Sequence, residues 1–97
     1  MAYLVTQFWP GASMDEYYTT ASILWRPNGL PEGEAYHAAG PTDGGVLIAG
    51  VWESSDQLES FLTEKLSLHT SIDGGLRGEP EQRIAEIGNL VMANPTL

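Results

Sequence analysis

His37 is the side chain in this 97-residue sequence that is best suited to acid–base chemistry. It falls on a predicted strand, and an imidazole could act there as a general base toward an acidic phenol or enol. A substrate carbanion formed in this way can react with dioxygen without a cofactor, or can close a ring by aldol chemistry. The alternative is a structural histidine that is hydrogen-bonded within the sheet. We take His37 as the candidate catalytic residue.

Aromatic side chains on the predicted strands and helices could line a cleft for a flat apolar ligand. They are Trp9, Tyr17, Tyr18, Trp52 and Phe61. Gln7 and Asn89 are polar residues in otherwise apolar strands, and inside such a cleft they could orient a carbonyl oxygen or stabilise an enolate. The alternative for each of these residues is ordinary core packing or a solvated sheet edge. The candidate substrate-binding residues are Gln7, Trp9, Tyr18, Trp52 and Phe61.

Metal, thiol and nucleotide chemistry find no support in the sequence. There is no cysteine, which excludes disulfides and thiolate catalysis. The second histidine, His69, lies near the end of a predicted helix, where we expect a surface role. No metal-ligand spacing links it to His37. The glycines of the segment 40–45 lack the following helix of a phosphate-binding loop. We therefore expect no metal ion and no organic cofactor.

The charge balance of the chain disfavours other classes of partner. Thirteen acidic residues against four lysines and arginines give a formal net charge of -9. This balance argues against binding to nucleic acid or to an anionic membrane surface. No apolar stretch approaches the ~20 residues that span a bilayer, and the N-terminus carries no signal-peptide pattern. We expect a cytoplasmic protein.

The hydrophobic pattern predicts strands and helices in the order β-α-β-β-α-β. Strands are predicted at residues 2–9, 34–39, 46–52 and 83–92. Residues 40–45 are predicted to form the turn between the second and third strands. One helix follows Ser13, which forms a capping box with Glu16, and the other begins at Ser54 or Ser55. This order is that of a ferredoxin-like α+β fold, with two helices on one face of a four-stranded antiparallel sheet. We expect one domain over residues 1–97.

The third predicted strand is apolar on both of its faces, although the two helices cover only one face of the sheet. Ile48 and Trp52 share one face, and Leu47 and Val51 share the other. A second copy of the sheet is the simplest cover for the remaining face. We therefore expect a homodimer in which two sheets pack face to face.

Two segments resemble the dimeric α/β-barrel superfamily, which includes the antibiotic-biosynthesis-monooxygenase-like proteins. They are HAAGPTDGG at residues 37–45 and GVWESSDQLESF at residues 50–61, and the element order and length are similar too. The resemblance implies a ferredoxin-like fold and a dimer. Monooxygenase-like members often carry a histidine one turn into the second helix, where this chain has Phe61. Haem-degrading members usually place an asparagine on the first strand, where this chain has Thr6 and Gln7.

The residues and the resemblance lead to one main hypothesis and two alternatives. The main hypothesis is a cofactor-independent monooxygenase-like or cyclase-like enzyme that acts on an apolar aromatic or polyketide-like small molecule, with His37 as its base. The first alternative is a non-catalytic ligand-binding or accessory protein of the same fold. The second is a haem-binding protein, in which His37 or His69 would be the axial ligand.

Overall fold

Four antiparallel strands form a single sheet in the computed structural model, which describes residues 2–25 and 29–91. The strands are β1 (Tyr3–Pro10), β2 (Glu34–Thr42), β3 (Gly45–Trp52) and β4 (Glu81–Glu86), in the sheet order β2-β3-β1-β4. The helices are α1 (Met14–Leu24), α2 (Ser55–Glu64) and a short 3₁₀ helix, Leu66–Ser71. The predicted ferredoxin-like α+β fold is confirmed, and the extent of the domain stays a prediction.

The core lies between the helices and one face of the sheet. Alternate residues of a strand face opposite sides, and on β1 the buried residues are Val5, Gln7 and Trp9. They lie in one cluster with buried side chains of the helices, including Tyr17 of α1 and Phe61 of α2. The helix-facing side of the sheet is therefore the side on which an enclosed site can form.

Side-chain caps that the sequence predicts fix where the two helices begin. The backbone N–H of Glu16 donates to Ser13 Oγ at 3.2 Å, and the Glu16 carboxylate accepts from the backbone N–H of Ser13 at 2.9 Å. At α2, the backbone N–H of Gln57 donates to Ser54 Oγ at 3.2 Å, so Ser54 is the N-cap. Caps of this kind contribute about 1 kcal/mol each to helix stability.

The hairpin between β2 and β3 is tighter than the sequence predicts. The strands extend to Thr42 and from Gly45, so the turn is Asp43-Gly44 rather than the whole of residues 40–45. Gly44 takes a φ of 82°, a left-handed conformation that glycine adopts without strain. Because Gly44 supplies the unusual backbone angle, the residues before it continue as strand.

The strand β4 begins earlier than predicted and is shorter. It covers Glu81–Glu86 instead of residues 83–92, of which the last lies outside the described part of the chain. β4 pairs with β1, and that partner begins at Tyr3, opposite Glu86. Residues 87–91 therefore extend past the end of the strand with which they would have to pair.

The face of the sheet opposite the helices carries exposed apolar side chains. Leu4, Tyr36 and Leu47 are 40%, 49% and 44% exposed, and they point away from the helices together with Val51. We call this surface the open face. Within the described residues, no helix is long and apolar enough to cross a membrane.

Candidate functional site

A bulge at the start of β2 brings an acidic side chain and a histidine to the same face of the sheet. Glu34 pairs with Trp52 and His37 pairs with Gly50, with the register shift between Glu34 and Tyr36. Residues three apart on a regular strand face opposite sides, and one extra residue in the strand reverses this relation. Both side chains consequently face the helices, on the buried side of the sheet.

His37 lies between two hydrogen-bonding partners. Its Nδ1 is 3.0 Å from Glu34 Oε2, and its Nε2 is 2.6 Å from the hydroxyl of Tyr17 on α1. A carboxylate accepts, so Nδ1–H donates to Glu34, and in the neutral ring Nε2 then accepts from the Tyr17 O–H. The side chains of His37 and Glu34 are only 9% and 2% exposed. We call this arrangement the Glu34–His37–Tyr17 relay.

Aromatic rings surround the relay. The rings of Tyr17 and His37 are stacked with an interplanar angle of 16°, and the Trp25 ring lies 5.1 Å from His37. Phe61 lies 5.5 Å from Trp25 and 5.2 Å from Trp52, measured between ring centroids. Rings packed in this way keep water away, and hydrogen bonds become electrostatically stronger where the local dielectric is low.

A small cavity lies next to the relay. Its volume is about 20 Å³, and the side chains at its wall include Gln7, Glu34, His37, Trp52 and Phe61. A volume of that size is enough for one water molecule. A larger depression of about 380 Å³ lies on the protein surface, and Phe61 lines both spaces. Phe61 is thus the residue that the walls of the two spaces share.

Gly50 makes room for the Glu34 carboxylate. A Cβ atom at this position would collide with Glu34 Oε2 and would lie 3.4 Å from the indole nitrogen of Trp52. The second carboxylate oxygen, Glu34 Oε1, is buried and has no hydrogen-bond partner among residues 2–25 and 29–91. One oxygen of the carboxylate therefore holds His37, while the other is left unsatisfied at the wall of the cavity.

Four of the six predicted site residues come together at this cavity. His37, Gln7, Trp52 and Phe61 all line it. The side-chain amide of Gln7 is engaged at both ends, since its oxygen accepts from the Trp9 indole N–H at 3.2 Å and its nitrogen donates to Gln82 Oε1 at 2.7 Å. The structure therefore places these four residues at one cavity, and their role in binding or catalysis stays a prediction.

The other two predicted site residues lie apart from the cavity. Trp9 is fully buried, and it lines a different depression, of about 440 Å³, together with His69. Tyr18 is 62% exposed and packs edge-on against Tyr17. Asn89, which the sequence places on the fourth strand, lies beyond the end of β4 and is exposed.

His69 is buried, which corrects the expectation of a surface role. Only 6% of it is exposed, and its ring packs edge-on against Trp9 at 5.0 Å. Its Nδ1 lies 2.8 Å from the Leu66 carbonyl and its Nε2 lies 2.9 Å from the Gly78 carbonyl. The 3₁₀ helix that follows α2 turns the ring inward, and the sequence pattern does not predict this turn. Within the described part of the chain, no group of three or more histidine, aspartate and glutamate side chains is placed to hold a metal ion.

Sequence reasoning missed Glu34, and it chose Tyr18 rather than Tyr17 as a candidate binding residue. Glu34 stands three residues before His37, a spacing that indicates opposite faces of a strand unless a bulge intervenes. Both tyrosines fall on the apolar stripe of α1, and only the packing shows that Tyr17 is buried while Tyr18 is exposed. The signal that could have found the relay is an acidic residue close to the strand histidine, combined with a tyrosine on the facing helix.

Several solved structures have the same fold as this chain. SnoaB, a cofactor-independent oxygenase from Streptomyces nogalater, has a TM-score of 0.60 and 16% sequence identity, over 93% of this chain and 95% of that chain. A monooxygenase from the gene ActVA-Orf6 of Streptomyces coelicolor, solved in complex with nanaomycin D, has a TM-score of 0.57 and 14% identity, over 96% and 93%. A Chloroflexus aurantiacus protein assigned as an antibiotic biosynthesis monooxygenase has a TM-score of 0.62 and 11% identity, over 96% and 100%.

Comparisons of sequence add no closer relative. No family model matches the chain, and no curated protein matches it. At identities of 11% to 16% the structural likeness establishes the fold and leaves the activity to be argued from the site. The chain has the ferredoxin-like fold that these solved structures share, as its sequence predicts.

Proposed function

We propose that this protein is a cofactor-independent oxygenase-like or cyclase-like enzyme that acts on an apolar aromatic or polyketide-like small molecule. The observation that carries the proposal is the buried relay, in which His37 lies between the Glu34 carboxylate and the Tyr17 hydroxyl. A histidine held by a carboxylate can accept a proton and stabilise the charge that follows, as a general base requires. The relay is the proton acceptor of the proposed enzyme.

The proposed reaction begins with removal of a proton from an acidic phenol, enol or activated methylene group. The resulting anion is electron-rich enough to reduce dioxygen directly. Conversion of a methylene to a carbonyl by one dioxygen releases one water, and all four electrons come from the substrate. The protein has to supply a base, an apolar enclosure and orientation, and the relay with its aromatic rings supplies these.

The proposed substrate lies against the residues that share the inner cavity. Gln7, Trp52 and Phe61 line that cavity with His37, and we assign them to the substrate-facing wall. Trp9 holds the Gln7 amide through its indole N–H, and Tyr18 packs behind Tyr17, so these two predicted site residues would act from behind the wall. The known oxygenases of this fold, SnoaB and the ActVA-Orf6 monooxygenase, support the proposal at the level of architecture.

A non-catalytic ligand-binding or accessory protein is the second candidate, and the size of the inner cavity favours it. Ligand pockets usually measure about 300–1,000 Å³, whereas the cavity beside the relay measures about 20 Å³. The enzyme therefore requires the aromatic wall to move when substrate binds. An accessory protein that binds no ligand in this cavity requires no such movement.

The open face supports the further proposal that the protein is a homodimer. It carries Leu4, Tyr36 and Leu47 in an exposed state, and large apolar patches of this kind mark interaction surfaces. A second copy of the same face would bury them by packing sheet against sheet. The relay lies on the other side of the sheet, so one subunit contains the whole relay.

Oxygen uptake in the presence of anthrone-type and naphthol-type compounds tests the proposed function. We expect the protein to consume dioxygen and to form the corresponding ketone or quinone, and His37→Phe to lower kcat/KM by about 100-fold or more. Glu59→Gln, an exposed carboxyl on α2 away from the cavity, serves as the control that keeps activity. Binding of these compounds without oxygen uptake or ring closure would favour the accessory protein instead.

A further inference from the structure

Glu34 Oε1 is a buried hydrogen-bond acceptor whose surroundings suit a ligand. The Glu34 side chain is 2% exposed, and this oxygen has no partner among the described residues. A buried polar atom without a hydrogen bond costs about 1–3 kcal/mol, so native proteins rarely leave one unsatisfied without a reason. Glu34 is one of the residues that line the inner cavity, so a ligand that enlarges this cavity would bring its donor atom next to the carboxylate.

His37 is less available to a ligand than Glu34. Both of its ring nitrogens are already in hydrogen bonds, one with Glu34 Oε2 and the other with the Tyr17 hydroxyl. A direct proton transfer from substrate to His37 would first have to break one of these contacts. Glu34 Oε1 can accept a proton or a hydrogen bond while the relay stays intact.

The inner cavity that Glu34 lines fits one hydroxyl group. The inner cavity of about 20 Å³ holds a single oxygen atom with its hydrogen. Phe61 also lines the surface depression of about 380 Å³. When the Phe61 ring turns aside, the two spaces join, and a ligand can place its hydroxyl inside and its rings between Trp25, Trp52 and the displaced Phe61.

The charges near the site favour a ligand that donates a hydrogen bond and carries no negative charge. Glu32, Asp56 and Glu64 line the surface depression along with Lys65, and Glu34 carries the acceptor inside. These negative charges repel carboxylates and phosphates. Ethers and ketones have no hydrogen-bond donor to offer to Glu34. A hydroxyl on an aromatic ring meets both conditions, because it donates a hydrogen bond and the ring matches the aromatic wall.

We propose that Glu34 Oε1 is the atom that meets the substrate, by accepting a hydrogen bond from an aromatic hydroxyl group. In the enzyme proposed above, on which the catalytic part of this inference rests, the substrate O–H bond breaks, the proton goes to Glu34 Oε1 and the electron pair stays on the phenolate oxygen. His37 then holds the carboxylate through Oε2. Recognition of the hydroxyl by Glu34 does not depend on any later reaction with dioxygen.

Calorimetric titration of the full chain with naphthol and with its methyl ether tests the assignment. The two probes have the same rings, and only naphthol has a donor. We expect wild-type protein to bind naphthol at least tenfold more tightly than the ether, because a hydrogen bond to a charged group is worth that factor. In Glu34→Gln the preference should fall to threefold or less, while Glu59→Gln should keep the wild-type ratio.

Gly50→Ala provides a second variant in which Glu34 is retained. The added Cβ collides with Glu34 Oε2, so the carboxylate must move and the preference for naphthol should fall here too. If the ratio of the naphthol and ether affinities is unchanged in both variants, the assignment is wrong. It is also wrong if neither probe binds to wild-type protein, and the cavity is then the site of a resident water. Naphthol preference that depends on Glu34, without any oxygen uptake or ring closure, would support the binding assignment and reject the proposed enzyme. Oxygen uptake that is unchanged in Glu34→Gln would support the proposed enzyme and reject the assignment of Glu34 Oε1 as the atom that meets the substrate.

Discussion

Glu34 and His37 are three residues apart on β2 and still form a hydrogen bond of 3.0 Å on the buried side of the sheet. The register shift between Glu34 and Tyr36 makes this possible, since Ala35 is the extra residue in the strand. On the partner strand, Gly50 lies opposite His37 and leaves space for the carboxylate. The relay therefore depends on a local irregularity of the backbone and on the absence of one side chain.

The first prediction concerns the energetic coupling between Glu34 and His37. We expect Glu34→Gln and His37→Phe each to lower the free energy of unfolding. The loss in the double variant should be about 1–3 kcal/mol smaller than the sum of the two single losses, because the same hydrogen bond to a buried charged group is removed only once. Urea unfolding of the four proteins gives this coupling energy. Combining Glu34→Gln with Thr63→Ala, on the exposed side of α2, should give additive changes, and additivity at the Glu34–His37 pair would contradict the relay.

The second prediction separates two glycines of the hairpin. Gly50→Ala should lower the free energy of unfolding by about 1–3 kcal/mol, because the displaced Glu34 carboxylate loses its contact with His37. Gly40→Ala is the matched control: no atom lies within 4 Å of the position that its Cβ would take, so we expect a change within about 0.5 kcal/mol. Equal effects in chemical unfolding would show that Gly50 does not serve to seat the carboxylate.

The sequence predicts the fold well because the signals for the fold are periodic and local. Capping boxes and apolar stripes place the two helices, and alternating apolar residues place the strands. The end of β4 could not be predicted from its own residues, since the apolar segment 87–91 continues the pattern and only the length of β1 ends the pairing. Strand boundaries of this kind are tertiary properties.

The candidate site is predicted less completely, for a different reason. His37 stands out by its residue type, and Gln7, Trp52 and Phe61 by their type and strand or helix position. Glu34 joins them only because of a bulge, and a bulge has no dependable signature in a single sequence. In the sequence, Gly50 looks like an ordinary small strand residue. Only the structure shows that the Glu34 carboxylate occupies the space that a Cβ atom at this position would need.

The third prediction concerns His69, whose ring ties the 3₁₀ helix to the segment before β4. Both ring nitrogens face carbonyl oxygens, those of Leu66 and Gly78. We expect His69→Phe to lower the free energy of unfolding by about 1–3 kcal/mol, even though an aromatic ring still packs on Trp9, because the ring N–H that donates to a carbonyl is lost. Tyr18→Phe removes an exposed hydroxyl and should change stability by less than about 0.5 kcal/mol. A neutral effect of His69→Phe in urea unfolding would mean that the ring only fills space.

The fourth prediction concerns the open face. If two copies pack through it, a charge at its centre must be buried without a partner, which is strongly unfavourable. We expect Leu47→Glu to convert a dimer into a monomer, as measured by light scattering during gel filtration. Leu68→Glu is the control, because Leu68 is also exposed, at 54%, but lies on the 3₁₀ helix. A monomeric wild-type protein, or dimers in both variants, would contradict the proposed interface.

The last prediction concerns Phe61, one of the predicted site residues at the inner cavity. Phe61 lines both the inner cavity and the surface depression, so we expect movement of its ring to limit how fast a ligand reaches Glu34. We expect Phe61→Leu to cost about 1–3 kcal/mol of stability and to raise the association rate of naphthol several-fold in stopped-flow experiments. Leu58→Met, a volume-conserving change at the same cavity, should leave the rate unchanged. An unaltered rate in Phe61→Leu would place the entrance elsewhere. A faster rate would show that an enclosed, nearly filled interior is compatible with ligand binding, which is the point on which the enzyme and the accessory protein differ.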